Sequence, residues 1–424
     1  MVCGIEISHL RADPLSRGHK ISMQTVMPKK LLVIQYGGDY KEAYCNMAEG
    51  HSEYYANQRY SVNVVSDLKD RFDEVATLCC QSSATYSEIL EPGVRAIGIG
   101  ATLEGYATAI KKTIIAIREY QPSFVILRTP AIDILRWLRK RRIPAALILA
   151  DSFNGRSLND RWRYFRLARE CNHSNVRWLG NHGVGSCLSL RKIGIRADKI
   201  VPWDWPVSID PSAREAKVLD EKNLYRLIYV GAISADKGVT DCIEAVNYLR
   251  RAGVSVALDI YGKGQVQECR SLVEKLDLGE CVTFCGLVPN SEIIPRMAAA
   301  DIVLIPSRSS YPEGFPKTIN EGLCSRTPLV VSDHPIFARL LKNRENAMVF
   351  RSASAADLAL KIHELLADSG LYTALSKNSL NTWKSLQIAV KWGDLFKNIA
   401  SNSPEGDAWL SANRLDSGLY DLSR

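Results

Sequence analysis

The chain has 424 residues, of which 46% are hydrophobic and 24% are charged, and its formal net charge is +8. These values are typical of a globular protein that is too long for one ordinary hydrophobic core, so we expect two domains. No apolar run approaches the roughly 18 residues of a membrane span, no signal peptide is expected, and the 11 scattered cysteines favour reduced thiols in a cytoplasmic protein over disulfides or a metal cage.

The first part of the chain carries one candidate phosphate-binding loop. Residues 1–28 show no periodicity, and we predict a flexible leader there. A buried strand follows at residues 31–34 and runs into Gly37 and Gly38. Paired glycines after a strand allow a phosphate to approach the backbone, although such a pair is also common in ordinary tight turns. Both interpretations stay open from the residues alone.

Strands and helices alternate from here to residue 150. This alternation is typical of a parallel sheet with helices on both faces, so the predicted fold class is α/β. The last predicted strand runs into Asp151. We predict strands at residues 75–79, 96–99, 122–127 and 145–150, and helices at residues 103–120 and 131–142.

Two basic stretches lie close together, at residues 136–142 and 156–169. Trp162 and Phe165 are interleaved with the arginines of the second stretch. A basic helix with aromatic residues can lie on an anionic membrane surface. The alternative is a solvated basic face whose apolar residues pack inward. No nucleic-acid-binding module is visible, so nucleic acid is not expected as a partner.

The boundary between the two domains is predicted near residue 205. His182 follows an apolar run and either hydrogen-bonds a substrate or has a structural role. Prolines and tryptophans at residues 201–206 favour a rigid connection between the lobes. The predicted domains are therefore residues 29–205 and 206–375.

The second domain contains a candidate phosphate-binding cation and a second pair of glycines. Lys237 follows the strand predicted at residues 227–231, where an ammonium group would neutralise phosphate. Gly262 and Gly264 follow the next strand, and a G-x-G sequence is a weak signal alone. Three further strands are predicted, at residues 257–261, 282–288 and 327–331.

Two glutamates follow the apolar strand predicted at residues 301–305. Glu313 precedes a helix start, and Glu321 lies about two helical turns later, on roughly the same side. Gly314 has no side chain, so a ligand could approach the backbone closely there. Two carboxylates about 10 Å apart, with amide donors between them, suit a nucleotide sugar. The alternative is a pair of ordinary solvated glutamates.

Glu313-Gly314-Phe315-Pro316, with Glu321, resembles the E-x7-E signature of retaining glycosyltransferases, in particular glycosyltransferase family four. The resemblance covers residues 227–366. It implies the GT-B architecture, in which two Rossmann-like domains face each other across a cleft. The resemblance then divides the chain as follows: acceptor domain 29–205, nucleotide-sugar donor domain 206–375, a helix crossing back at 376–400, and a frayed tail at 401–424.

The resemblance also implies an activity and its residues. The expected reaction is transfer of a sugar from a nucleotide diphosphate sugar to a glycan or lipid-linked acceptor, with retention of anomeric configuration. Glu313 would hold sugar hydroxyls, Glu321 the ribose, and Lys237 the phosphates, with Glu313 and Lys237 as the catalytic pair. Asp151 and His182 are candidates on the acceptor side. The remaining donor-binding candidates are Gly37, Gly38, Gly262, Gly264, Leu287, Gly314, Phe315 and Pro316.

The sequence departs from the family pattern at two places. Ala232 stands where the family has an arginine that binds the diphosphate, and Arg308 and Lys317 are candidates to replace it. Asp151 and Ser152 stand near the point where many members have a histidine. These departures leave open how the phosphates and the transferred sugar are held.

No D-x-D sequence occurs, so we expect neither a metal ion nor any cofactor. The expected location is cytoplasmic, with peripheral contact to an anionic membrane at its inner face as an option. Two other functions remain open. One is a different GT-B enzyme, such as a nucleotide-sugar epimerase or a phosphorylase. The other is a catalytically silent protein that binds sugar nucleotides.

Overall fold

A computed structural model describes residues 28–50, 53, 57–102, 104–155, 157–207 and 209–420. The predicted leader, apart from its last residue, lies outside these ranges, and so does the end of the predicted tail. Two separate β-sheets, each covered by helices, account for the described chain. We call the part around the first sheet the first lobe and the part around the second sheet the second lobe.

The first sheet has eight strands in the order β3-β4-β2-β1-β5-β6-β7-β8, and all pairs are parallel except β3 with β4. Its central strands are buried on both faces, as their continuous apolar runs predict. The strands are β1 Lys30–Gln35, β2 Glu74–Cys79, β3 Thr85–Glu91, β4 Val94–Ile99, β5 Phe124–Leu127, β6 Ala145–Leu149, β7 Val176–His182 and β8 Ile200–Trp203.

Six helices cover the faces of this sheet. They confirm the predicted alternation, although the helix predicted from residue 103 begins at residue 106. The helices are α1 Tyr40–Ala48, α2 Gln58–Ser66, α3 Tyr106–Tyr120, α4 Ile132–Lys140, α5 Leu158–Cys171 and α6 Val184–Lys192.

The second sheet has six strands, all parallel, in the order β11-β10-β9-β12-β13-β14. The strands are β9 Tyr225–Val230, β10 Val256–Tyr261, β11 Val282–Gly286, β12 Ile302–Ile305, β13 Leu329–Ser332 and β14 Met348–Phe350. The helices of this lobe are α7 Val239–Arg251, α8 Val266–Lys275, α9 Asn290–Ala299, α10 Lys317–Cys324 and α11 Ala355–Ala367.

The end of the chain differs from the prediction. In place of one crossing helix at 376–400 there are two, α12 Ser369–Leu386 and α13 Trp392–Ser401. Helix α12 packs on α10 and α11 in the second lobe, whereas α13 belongs to the core of the first lobe. Helix α13 approaches β7 closely because Gly180 has no side chain, and a Cβ there would overlap Leu395.

The prediction of a frayed tail at 401–424 is wrong for the residues that the structure describes. A further helix, α14 Pro404–Ala412, packs on α13 and buries Leu410 completely. The amide of Leu415 then donates to the Ile200 carbonyl of β8 at 2.7 Å. Ser403 caps α14 through the amide of Gly406, so the sequence did contain a helix-start signal that the prediction overlooked.

The chain crosses between the lobes twice, and the two crossings run side by side. The amide of Asp204 donates to the Val390 carbonyl at 3.0 Å, and the amide of Trp392 donates to the Asp204 carbonyl at 2.9 Å. Trp205 and Trp392 stack with ring centroids 5.4 Å apart. Of the helices described, none combines the length and the apolar character that a membrane span requires.

Candidate functional site

The strand order reverses at one point in each lobe, the topological switch point of the sheet. Strand β1 lies between β2 and β5, and β9 lies between β10 and β12. Ligands of open α/β sheets bind beyond the carboxyl ends of the strands at such points, because the loops there diverge and leave a crevice. Gly37 follows β1, Arg128 follows β5, Lys237 follows β9 and Glu313 follows β12.

Lys237 and Glu313 come together as a buried ion pair. The Lys237 ammonium contacts Oε1 of Glu313, and the Ser307 hydroxyl donates to the same oxygen at 2.6 Å. Glu313 is only 6% exposed, which excludes the interpretation that it is an ordinary solvated glutamate. The Lys237 ammonium also lies 4.3 Å from the ring centroid of Tyr311. The two predicted catalytic residues are therefore neighbours, each held by the other.

The backbone brings these two loops together. Gly238 precedes α7 with φ of 75°, and a Cβ there would overlap the carbonyl oxygen of Pro306 at the end of β12. A glycine at this position therefore allows the Lys237 loop to lie against the Glu313 loop. His334 fixes the Glu313 loop from the other side, since its Nε2 donates to the Tyr311 carbonyl at 3.0 Å. Burial lowers the pKa of His334, which keeps this imidazole neutral.

Gly314 has a different role from the predicted one. A Cβ at Gly314 would lie 2.7 Å from the carbonyl oxygen of Ala150, so the close approach is made by the backbone of the first lobe and not by a ligand. Nδ1 of His182 accepts from the amide of Phe315 at 3.3 Å. That amide is therefore engaged with the first lobe in this arrangement, and its contact with a phosphate stays a prediction.

His182 is buried between the lobes. Its Nε2 donates to Oδ1 of Asp204 at 3.0 Å, and its ring stacks on Trp203. Since Nδ1 accepts a hydrogen bond, Nε2 carries the proton. His182 thus joins Asp204 at the chain crossing to Phe315 at the start of α10, and the structure gives it a positioning role. Its predicted contact with an acceptor stays a prediction.

Glu321 lines a cavity of about 750 Å³ between the lobes, together with Lys317, Trp205 and Tyr60. Asn290 donates to Oε1 of Glu321 at 3.2 Å. Burial raises the pKa of Glu321 and lowers the pKa of Lys317 to about 8. Glu321 therefore lines an open crevice between the lobes.

The glycines of the second lobe hold two loops together. A Cβ on Gly262 would overlap the carbonyl oxygen of Gly231, and one on Gly264 would overlap that of Ile233. Both have positive φ, 145° and 143°. The loops after β9 and β10 thus need these glycines in order to pack.

Leu287 is 41% exposed and Pro316 precedes the first residue of α10. Donor contacts by these residues stay predictions.

Asp151 lies in a second cavity, of about 700 Å³, at the carboxyl ends of the first sheet. Gly37, Arg128 and Arg163 line the same cavity, and Pro312 reaches it from the second lobe. Burial raises the pKa of Asp151 to about 6. A carboxyl group that titrates near neutral pH, beside a cleft between the lobes, is suited to contact with an acceptor hydroxyl.

Arg308 and Lys317 were predicted as candidates for the charge that the family's arginine would supply. Arg308 donates to both carboxylate oxygens of Asp241, at 3.0 and 2.6 Å. Lys317 lines the cavity that contains Glu321. Contact of either residue with a phosphate stays a prediction. Sequence reasoning did not single out Arg128, which directly follows β5 and lines the cavity that contains Asp151.

The basic helix α5 was predicted either to lie on an anionic membrane or to be a solvated basic face whose apolar residues pack inward. Leu158, Trp162 and Phe165 are 80%, 63% and 58% exposed, whereas Tyr164 and Leu167 pack inward. Both alternatives stay predictions. Within the described ranges, no three His, Cys, Asp or Glu side chains are grouped so that they could hold a metal ion.

Comparison with known proteins agrees with this architecture. Residues 212–382, less than half of the chain, match the family model described as Glycosyl transferases group 1. The chain is 27% identical over 158 residues to the amylovoran biosynthesis glycosyltransferase AmsK of Erwinia amylovora, covering 36% of this chain and 39% of that one. It is 26% identical over 212 residues to the N,N'-diacetylbacillosaminyl-diphospho-undecaprenol alpha-1,3-N-acetylgalactosaminyltransferase of Campylobacter jejuni, covering 49% and 53%. The matches thus span about two fifths to about half of the length of these relatives.

Solved structures resemble almost the whole chain at low sequence identity. The sucrose-phosphate synthase of Thermosynechococcus elongatus has a TM-score of 0.63 at 15% identity, covering 88% of this chain and 100% of that one. Anabaena HepE in complex with UDP-glucose has a TM-score of 0.57 at 16% identity, covering 84% and 95%. The chain has the two-lobed GT-B fold, and its second lobe is similar to the glycosyl transferases of group 1.

Proposed function

We propose that this protein is a retaining glycosyltransferase of family four, which moves a sugar from a nucleotide diphosphate sugar to a glycan or lipid-linked acceptor without a metal ion. The observation that carries the proposal is the Lys237–Glu313 pair at the switch point of the second lobe, where Pro312 of the Glu313 loop lines the same cavity as Gly37 of the first lobe. Glu321 lines the adjoining cavity between the lobes. Glu313 would contact the sugar of the nucleotide sugar, Lys237 its diphosphate and Glu321 its ribose.

The chemistry requires charge stabilisation above all. The bond between the anomeric carbon and the phosphate oxygen breaks, and the electron pair leaves with the diphosphate. Lys237 would stabilise that charge. The acceptor hydroxyl attacks the same face, and its proton passes to the departing phosphate oxygen, so atoms and charge balance. The protein's main contribution would be to position both substrates.

Glu313 is arranged to hold the sugar. Its contacts with Lys237 and Ser307 both use Oε1, so Oε2 can accept from a sugar hydroxyl. Lys237 can turn from Oε1 towards a phosphate when the donor enters, because a lysine side chain has a flexible stem. Binding of the donor would thus replace one charge pair with another.

The test is release of nucleoside diphosphate from a panel of sugar nucleotides, with UDP-glucose first because HepE is similar in fold and was solved with it. We expect release that continues in EDTA, and a product whose anomeric configuration by proton NMR matches the donor. Glu313→Gln should lower the rate by about 10²-fold or more. Glu292→Gln, on the exposed side of the neighbouring helix α9, is the matched control.

Several outcomes would contradict the proposal. No release and no binding across the panel would refute the transferase assignment. Inversion of configuration would refute retention, and loss of activity in EDTA would refute metal independence. Phosphate-dependent turnover with the absorbance of pyridoxal phosphate would favour a phosphorylase. Isomerised donor without transfer would favour an epimerase, and binding without turnover would favour a silent binding protein.

A membrane-bound acceptor is the second part of the proposal. Leu158, Trp162 and Phe165 are spaced so that they share one face of α5, and the rings of Trp162 and Phe165 stack at 5.9 Å. Cationic side chains outnumber acidic ones on α4 and α5. Arg163 and Tyr164 of the same helix line the cavity that contains Asp151. This face is suited to an anionic bilayer, with the cavity beside the lipid surface.

The Campylobacter relative supports this part, because its name describes transfer to a diphospho-undecaprenol acceptor. The protein would then act as a cytoplasmic enzyme attached to the inner face of a membrane. The test is sedimentation with phosphatidylglycerol vesicles and with neutral phosphatidylcholine vesicles. We expect binding to the anionic vesicles alone, falling at least tenfold in Trp162→Ser/Phe165→Ser. Leu360→Ser removes an equally exposed apolar side chain from the second lobe and should have no effect.

A further inference from the structure

A further cavity, of about 760 Å³, lies beside the two chain crossings, and we call it the hinge cavity. It is lined by the start of α6 in the first lobe, by α12 in the second lobe and by the end of the described chain. It shares only Asp204 with the cavity that contains Glu321, and no residue with the cavity that contains Asp151. Of the predicted donor residues, only Phe315 lines it. The hinge cavity is thus separate from the positions proposed for donor and acceptor.

The wall that α12 contributes is polar. Asn378, Asn381, Thr382 and Ser385 all line the hinge cavity, and their spacing places them on one face of the helix. Gln387 continues this wall directly after α12. A polar helix face usually points to bulk water, whereas this one lines a crevice between two lobes.

Two amide groups on this wall have acceptor capacity left for a ligand. Asn378 donates through its amide nitrogen to the Glu345 carbonyl at 2.9 Å, and Gln387 donates in the same way to the Trp383 carbonyl at 3.1 Å. Each amide oxygen can therefore accept from a hydroxyl group. Several acceptors in one crevice suit a ligand that carries several hydroxyls.

The other lining residues favour a neutral ligand with apolar faces. The charged side chains are balanced, since Arg339 and Lys342 are cationic while Asp204 and Glu345 are acidic. Tyr420 adds an aromatic ring, whose hydroxyl already donates to the Asn413 carbonyl. Aromatic rings pack against the C–H faces of sugars, and amides and carboxylates bind sugar hydroxyls. A neutral saccharide combines both features.

The hinge cavity also touches the contacts that join the lobes. Asp204 and Phe315, which both hydrogen-bond with His182, are among its lining residues. A Cβ on Gly185 would lie 2.7 Å from the Ile336 carbonyl oxygen, so the first and second lobes meet at this wall. A ligand that contacts both lobes binds best when they have this arrangement, and it therefore stabilises the arrangement.

We propose that the hinge cavity binds a neutral oligosaccharide, and that the bound sugar holds the two lobes in the arrangement described here. The inference goes beyond the proposed function, because the site lies outside the positions assigned to the donor and the acceptor. It applies whether or not the protein transfers sugar.

The experiment measures binding of maltotriose, cellotriose and triacetylchitotriose to the full chain by calorimetry, without any nucleotide. All three are neutral, and they differ in linkage or substituents. We expect at least one of them to bind with a Kd of about 1 mM. Asn381→Trp places a bulky ring in the hinge cavity and should weaken this binding at least tenfold. Lys377→Trp adds the same ring at an exposed position of α12 outside the cavity and should change binding less than twofold.

Hydrogen exchange tests the effect on the lobes. The amide of Phe315 donates to Nδ1 of His182 in the other lobe, so its exchange reports on the contact between them. With the trimer bound, we expect the peptide that contains Phe315 to exchange at least threefold more slowly. Strand β10, in the core of the second lobe, should be unaffected. Asn381→Trp should abolish the slowing.

Several results would overturn the proposal. One is no binding of any trimer at about 10 mM, and another is unchanged binding in Asn381→Trp. If that variant does not fold, Asn381→Ala/Ser385→Ala decides, since both side chains are exposed and their loss should weaken binding at least threefold. Binding of inorganic phosphate in place of the trimers would refute the neutral ligand. Unchanged exchange at Phe315 with a trimer bound would refute the effect on the lobes.

This proposal and the proposed function fail separately. Trimer binding that Asn381→Trp removes, without turnover of any sugar nucleotide, would keep the hinge cavity as a saccharide site and refute the transferase. Turnover of a sugar nucleotide without trimer binding would do the reverse.

Discussion

The two lobes have similar architectures but are assembled from the chain in different ways. The second lobe runs from β9 to α12 without interruption, and its site residues Lys237 and Glu313 lie in the loops after β9 and β12, which are neighbouring strands of the sheet. The first lobe needs α13 and α14, from the far end of the chain, to complete its core. Its site residues follow separate strands, and its partners in the site include residues of the other lobe.

The two lobes therefore differ in which parts of the chain complete their cores. The second lobe is built from one continuous segment, whereas the first lobe depends on helices from the far end of the chain. We expect a substitution in those helices to affect the first lobe more than the second, and Leu410→Ala tests this expectation. Two further variants, Gly314→Ala and Asp151→Asn, test the cleft between the lobes.

The largest effect is expected for Leu410→Ala. Leu410 is fully buried where α14 joins the first-lobe core, and truncating a buried leucine costs about 2–5 kcal/mol of unfolding free energy. Hydrogen exchange should show the loss in β1, β7 and α13, with β9 and β12 little changed. Leu360→Ala, which is 51% exposed on α11, should cost little. Equal loss of protection in both lobes would show that they unfold as one unit and would remove the contrast.

Gly314→Ala tests the contact between the lobes. The added Cβ would lie 2.7 Å from the Ala150 carbonyl oxygen and 3.3 Å from Nδ1 of His182, so the backbone must move. We expect a loss of about 1–3 kcal/mol in unfolding free energy by chemical denaturation, together with reduced turnover. Gly279→Ala meets nothing within 4 Å and serves as the control. A fully active Gly314→Ala variant would mean that the lobes work without this contact.

The smallest effect is expected for Asp151→Asn. The folded pKa of Asp151, about 6, lies above the ordinary value of 3.8, so the fold favours the protonated acid. Its stabilising contribution is complete below pH 3.8 and is lost as the pH rises through 6. Asn should therefore raise the unfolding free energy by about 1–2 kcal/mol at pH 7.5, after allowance for solvent screening, and by almost nothing near pH 4.

The matched control for that measurement is Asp220→Asn, which changes an exposed acid in the second lobe. It should leave the unfolding free energy unchanged at both pH values. A pH-independent gain in Asp151→Asn would show that the carboxylate is not desolvated. If Asp151 contacts the acceptor, the rate of acceptor-dependent turnover should also change with pH around pH 6. The Asn variant should lack this pH dependence.

The sequence predicted those features that depend on neighbouring residues. Buried parallel strands are continuous apolar runs, so β1, β5, β6 and β12 were found, and the loops after β1, β6 and β12 supplied predicted site residues. Strand β3 was missed because it is an exposed edge strand with no apolar face to form a pattern. Helix α14 was missed because a short polar helix near a terminus becomes stable only through contacts with α13.

The functional role of a residue was harder to predict than its location. Gly314 and Phe315 were correctly placed at the start of α10, but their partners Ala150 and His182 are more than 130 residues away in the chain. The guanidinium of Arg128 likewise lies over the ring of Trp392, which α13 brings from the far end of the chain. Contacts between distant segments follow from packing, and a single sequence carries no local signal for them.

The paired crossings at Asp204 and Val390 have a consequence for the dynamics of the protein. Two segments tied together by hydrogen bonds where they pass between rigid bodies cannot bend independently. We therefore expect any change in the angle between the lobes to bend both segments together near Asp204. The side chain of Asp204 accepts from His182, and His182 accepts from the amide of Phe315 in the other lobe. A wider angle between the lobes would thus break these polar contacts before it disturbed either apolar core.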